Sequence, residues 1–221
     1  MKGFGGNNQS KKKKILNNKQ KVNISQLINK AFELQAQGKK LDAAKYYAYL
    51  IKQGIKDHRV FSNYGAFLNE IGKNEEAELA LKKAISLNPK YANSYYNLGV
   101  LYMGQENFEK AELEFKEAIK IQSDFIIAYY NLGFIFKNLG RLKEAESFIQ
   151  KVLEINPQFT DAYFILSTMQ AGDKTQKWYE QLFSESLLKN KNKRELVNIF
   201  FARSNILHKE QNYEESSKYL K

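Results

Sequence analysis

"YYNLG" at Tyr95-Tyr96-Asn97-Leu98-Gly99 returns as Tyr129-Tyr130-Asn131-Leu132-Gly133, 34 residues further on. The interval holds elsewhere. Gly65, Gly99 and Gly133 share it, as do Ala77, Ala111 and Ala145, and the two prolines, Pro89 and Pro157, lie two intervals apart with Ser123 in the slot between. Gly38, Gly72 and Gly140 fill a further slot, in which Glu106 is the exception. Self-similarity at a fixed period of this length marks a repeat architecture, in which each unit buries its apolar face only against its neighbours.

Within one unit the apolar residues follow helical spacing. In Ala92–Phe125, Tyr95, Leu98, Gly99 and Tyr102 share one face, and Phe108, Ala111, Phe115 and Ala118 share another after a break at Glu106-Asn107. Each unit is therefore expected to be two helices. Glycine in the first and alanine in the second let the backbones approach, and the aromatic residues fill the space beside them. Replacing Ala111 or Ala145 by leucine is expected to overpack this seam at a cost of about 1–3 kcal/mol.

These residues resemble the tetratricopeptide repeat family, whose 34-residue unit carries an aromatic, Leu-Gly and Tyr in its first helix and Ala, an aromatic, Ala and a closing Pro in its second. The resemblance implies an all-α, right-handed α-solenoid of helix-turn-helix units. It is strongest over residues 58–159, three well-matched units. Ala92–Phe125 fits at nearly every slot; Ile126–Phe159 has Phe136 for the tyrosine and Val152 for the second alanine; His58–Tyr91 has Tyr64 for the leucine. Residues 23–57 read as a degenerate first repeat. Residues 160–192 begin as a repeat with Tyr163 and Leu166, depart at Gly172-Asp173, and continue as a divergent helix pair around Trp178, Leu182 and Leu187. Residues 193–221 read as an incomplete unit, with Asn212-Tyr213 opening the second helix and Ser216 in the alanine slot.

Asn97 lies off the packing face, with Asn93, Val100 and Gly104, on the side that lines the concave surface of stacked helix pairs. Asn63 and Asn131 hold the same slot one repeat away. A side-chain amide offers a donor and an acceptor together, which suits the backbone of an extended peptide. The row is similar to the asparagine ladder in the repeat superhelix of the enzyme that attaches N-acetylglucosamine to protein serine and threonine. Beside it stand Tyr96, Tyr130 and Phe164, one per repeat, and Val100 and Phe134 extend the surface. These nine positions, Asn63, Asn93, Tyr96, Asn97, Val100, Tyr130, Asn131, Phe134 and Phe164, form the expected peptide groove. Asn93, Asn97, Ile127 and Asn131 stand where a carboxylate clamp would need cations, so a clamp is not expected.

The net charge of +11 is uneven along the chain. Residues 1–22, with Lys11 to Lys14 in a row, hold seven lysines and no acid, whereas residues 23–173 balance. That leader reads as a lysine-rich disordered segment, and nucleic acid is not an expected partner of the body. Cysteine is absent and only two histidines, His58 and His208, are present, which leaves little for a metal centre. Neither a Gly-x-Gly-x-x-Gly nor a Gly-x-x-x-x-Gly-Lys-Ser/Thr loop occurs, so no cofactor, no catalytic residue and no enzyme activity are expected. No apolar run is long enough to span a bilayer or to serve as a secretory signal, and a cytoplasmic location is expected.

The expected function is a protein–protein interaction module that takes an extended peptide. Two alternatives stand beside it. The lysine-rich leader with "GIKDHRVFSNYG" at Gly54–Gly65 and "ARSNILHKEQNYEESSKYL" at Ala202–Leu220 resembles the repeat arm that precedes a sulfotransferase domain in some bacterial proteins. The resemblance implies a non-catalytic arm that presents substrate. The other alternative is self-association through an uncapped last helix.

Overall fold

The computed structural model describes residues 24–169 and 177–220. The lysine-rich leader and the departure at Gly172-Asp173 lie outside the described residues. Every regular element described is helical. The chain divides into two compact units, one ending at Glu106 and the other beginning at Asn107.

Unit 1 holds α1 (24–36), α2 (Lys40–Lys52), α3 (His58–Glu70), α4 (Asn74–Leu87) and α5 (Ala92–Gly104). Unit 2 holds α6 (Phe108–Ile121), α7 (Ile126–Asn138), α8 (Leu142–Ile155), α9 (Thr160–Met169), α10 (Lys177–Phe183), a short 3-10 turn at Glu185–Leu188, α11 (Lys193–Lys209) and α12 (Tyr213–Lys218). The starts of α3, α5, α7 and α9 recur every 34 residues, and so do those of α4, α6 and α8. Consecutive helices pair as in tetratricopeptide solenoids, α3 with α4 and α7 with α8.

Local chemistry sets these boundaries. The Asp57 carboxylate accepts from Arg59 N at 2.9 Å and the Asn107 amide from Lys110 N at 3.2 Å, each satisfying an orphan donor at a helix start. Glu75 and Glu76 in the first turn of α4, and Glu214 and Glu215 in that of α12, sit at the positive helix end. The turn between paired helices needs one left-handed residue. Gly38, Gly72 and Gly140 supply it at φ +74°, +76° and +73°, and Glu106 adopts φ 58° in the same slot. Glu106 is thus no exception in backbone shape; it carries a side chain where glycine is cheaper.

The glycine–alanine seam is as close as the sequence implied. A Cβ on Gly65 would stand 2.7 Å from Leu81 Cγ and 3.2 Å from the Ala77 carbonyl oxygen. One on Gly133 would stand 2.6 Å from Ile149 Cγ1 and 3.3 Å from the Ala145 oxygen. The core of unit 1 gathers Ala31, Leu34, Tyr47, Leu50 and Val60, and that of unit 2 runs from Ile149 and Val152 through Tyr163, Leu166, Trp178 and Leu182 to Ile199 and Ile206. After α9 the pairing changes. α9 packs chiefly against α11, while α10 is short and the 3-10 turn follows it.

Arg203 holds that altered region together. It is 2% exposed, and its guanidinium donates from Nε to the Leu182 oxygen at 2.8 Å and from Nη2 to the Ser184 oxygen at 2.9 Å. It thereby satisfies carbonyls at the C-terminal end of α10. The rings of Phe183 and Tyr219 lie 5.8 Å and 5.5 Å from its Cζ.

Candidate functional site

The first helices of the pairs carry every residue expected to line a peptide groove, and the structure treats the amides and the aromatics differently. In unit 1 Asn63 donates from Nδ2 to the Tyr47 hydroxyl at 3.2 Å, and that hydroxyl donates in turn to Gln35 Oε1. Asn97 donates from Nδ2 to Ser62 Oγ at 3.1 Å. Both asparagines are half-buried and tie their own helix to the preceding repeat. Asn93 is exposed and donates to the Tyr91 hydroxyl at 3.1 Å, while Val100 and Tyr96 are half-buried.

In unit 2 Asn131 is buried at 9% exposure. The expected row of outward amides is therefore two half-buried donors already engaged and one buried residue. Sequence spacing placed all three on one side of the first helices, but spacing does not reveal a neighbouring hydroxyl that captures the donor. Among the described residues only the amide nitrogens of Asn63 and Asn97 make these bonds, through Nδ2.

The aromatics stay closer to solvent. Phe134 on α7 and Phe164 on α9 are 39% and 37% exposed. Tyr130 is half-buried, its ring centroid 5.3 Å from that of Phe159. Burial, and secondarily the Asp161 carboxylate, holds the Tyr130 hydroxyl above the usual tyrosine value. Phe201 on α11 is 47% exposed and belongs to the same slot, although it follows Phe164 by 37 residues rather than 34. The three-residue shift hid it. Counting back from the Asn212-Tyr213 turn, which matches Asn107-Phe108, gives Phe201 the same slot in its repeat as Tyr96 in its own. Ile127 and Val197 add exposed aliphatic surface on α7 and α11.

Polar groups flank these side chains. The Asp161 carboxylate accepts from Asn198 and lies 3.8 Å from Arg194 Nη2, at the N-terminal ends of α9 and α11. A cleft of about 300 Å³ opens there, lined by Phe159, Thr160, Asp161, Arg194 and Asn198 among others. Lys137 and Lys209 lie in the last turns of α7 and α11. Lys209 Nζ donates to the Ser167 carbonyl at 2.8 Å, and burial lowers its pKa. The two histidines find structural partners: His58 Nε2 lies 3.2 Å from Asn88 Nδ2, and the His208 ring meets Tyr213 edge-on. Among the described residues no group of three or more His, Cys, Asp or Glu side chains could hold a metal, and no helix is long and apolar enough to cross a membrane.

Comparison with known proteins speaks to the repeat fold. A family model for the middle TPR-like domain of cilia and flagella-associated protein 70 matches residues 27–127, and the tetratricopeptide repeat model matches residues 126–159. No curated protein matches the chain in sequence. Among solved structures, a pilF from Pseudomonas aeruginosa is similar at TM-score 0.68 and 12% identity, covering 89% of this chain and 88% of its own. YrrB, described as a TPR protein with an unusual peptide-binding site, is similar at TM-score 0.60 and 21% identity, covering 80% and 90%. MamA is similar at 0.58 and 20%, covering 84% and 96%. Identities this low speak for the fold alone. The two family models support tetratricopeptide-type repeats over residues 27–159, and the neighbours share the fold.

Proposed function

We propose that the chain is a protein-interaction module whose first helices hold an extended peptide segment. The observation that carries this reading is the partial exposure of Phe164 and Phe201 in one repeated slot. Side chains of this size, left in water on adjacent helices that pack together, mark surface reserved for a partner. YrrB, described as a TPR protein with an unusual peptide-binding site, has a similar fold and supports this reading.

Magnitudes apportion the work. A micromolar complex needs about 8 kcal/mol, and a hydrogen bond to one amide oxygen supplies only about 1 kcal/mol. The asparagines therefore set register, and the apolar residues supply most of the affinity.

The test selects displayed dodecapeptides on the full chain and measures the affinity of the tightest. Changing Phe164 and Phe201 together to serine is expected to weaken capture at least about tenfold without lowering the melting temperature. Unchanged capture by that variant would sink the reading.

A further inference from the structure

The charge around the exposed apolar side chains of unit 2 narrows what they take. α7, α9 and α11 carry two acids, Asp161 and Glu195. Both are engaged within the fold: Asp161 with Asn198 and Arg194, and Glu195 in a capping box with Asn192 and 3.3 Å from Lys191 Nζ. The positive side is not balanced. Lys137 makes no ion pair among the described residues, and the Arg194 side chain stays 82% exposed despite its contact with Asp161. A lysine in a last helical turn also suits the helix dipole, but that accounts for Lys137 without accounting for Phe134 three residues before it.

We propose that this face takes an extended segment of another protein in which two large apolar side chains are accompanied, within a few residues, by carboxylates. The apolar side chains pack on Phe134, Phe164 and Phe201, and a carboxylate reaches Lys137. The proposal rests on the interaction reading above and adds the chemistry of the partner. A single-stranded nucleic acid also pairs stacking with cations. Here, however, the surface includes the aliphatic Ile127 and Val197, and the Asp161 carboxylate would face any phosphate brought to the N-terminal end of the row.

The experiment sequences the dodecapeptides that the full chain enriches at physiological salt and measures the best of them against variants. The expected set carries paired aromatic or long aliphatic residues with Asp or Glu nearby. Lys137→Glu is expected to weaken these peptides about tenfold, while Lys137→Arg retains them, and both variants are expected to melt with the wild type. Because the leader is itself basic, a variant with Lys11, Lys12, Lys13 and Lys14 changed to serine serves as control and is expected to bind normally. Enriched peptides without acids overturn the proposal and leave the interaction reading standing, as do acidic peptides that ignore Lys137→Glu or depend on the leader lysines. An oligothymidine that outcompetes the peptides, or peptides displaced by self-association of the chain at higher concentration, also overturns it. No enrichment at all removes both readings.

Discussion

The α7–α8 pair and the α11–α12 pair fill the same two seam slots in opposite ways. In the first, Gly133 lies against Ala145 and Ile149 with no side chain of its own. In the second, Ser204 and Ser216 take those slots, their hydroxyls 2.9 Å apart, with Ser216 Oγ also 3.0 Å from the Ser204 carbonyl oxygen. One position earlier, leucine at 132 becomes arginine at 203, and its guanidinium reaches sideways to the end of α10. A close seam needs small residues, and there are two ways to keep it stable. Either the side chain is removed, or it is kept and given a partner.

The sharpest way to break the comparison is Arg203→Leu, which puts the leucine of position 132 into this slot. If the regular repeat logic sufficed, it would be tolerated. Loss of about 3 kcal/mol is expected instead, because the Leu182 and Ser184 carbonyls lose their donor, and chemical denaturation of the full chain reads this directly. Next comes Gly133→Leu, expected to cost about 2 kcal/mol by forcing Ile149 and the Ala145 backbone aside. A wild-type denaturation midpoint for that variant would mean that the α7–α8 seam is looser than drawn.

Smaller effects sharpen the contrast. Ser216→Ala removes the partner of a buried hydroxyl and is expected to cost about 1 kcal/mol, whereas a Ser204→Ala, Ser216→Ala double variant recovers part of that loss because neither hydroxyl is then stranded. In the paired turns, Gly140 has φ +73° and Gln211 φ 62°. Exchanging their residue types is expected to have opposite signs: Gly140→Gln loses about 1 kcal/mol and Gln211→Gly gains about 0.5 kcal/mol, reduced by the freedom glycine adds to the unfolded chain. Two shifts of the same sign would show that the turns are not equivalent.

Much of this was legible in residue spacing. The interval between glycines, alanines and prolines locates the helices from α3 to α8 because each slot answers a local need, whether a close approach, a turn or a stop. Trp178, Leu182 and Leu187 read in sequence as one divergent second helix; all three are buried, but α10 ends at Phe183 and Leu187 falls in the 3-10 turn after it. What spacing could not show was partnership. It put Asn63 and Asn97 off the packing face of their helices but did not show them against Tyr47 and Ser62. It also missed Phe201, because a three-residue change in period moves every later slot, and it gave Arg203 no role, because the carbonyls it serves belong to an element outside the repeat pattern.

Arg203 also changes how the C-terminal helices come apart. In a stack where each unit touches only its neighbours, the end unit opens alone and protects nothing behind it. A guanidinium on α11 that holds carbonyls of α10 makes the two helices open as one event, so amide protons of α10 and α11 exchange with solvent at a common rate.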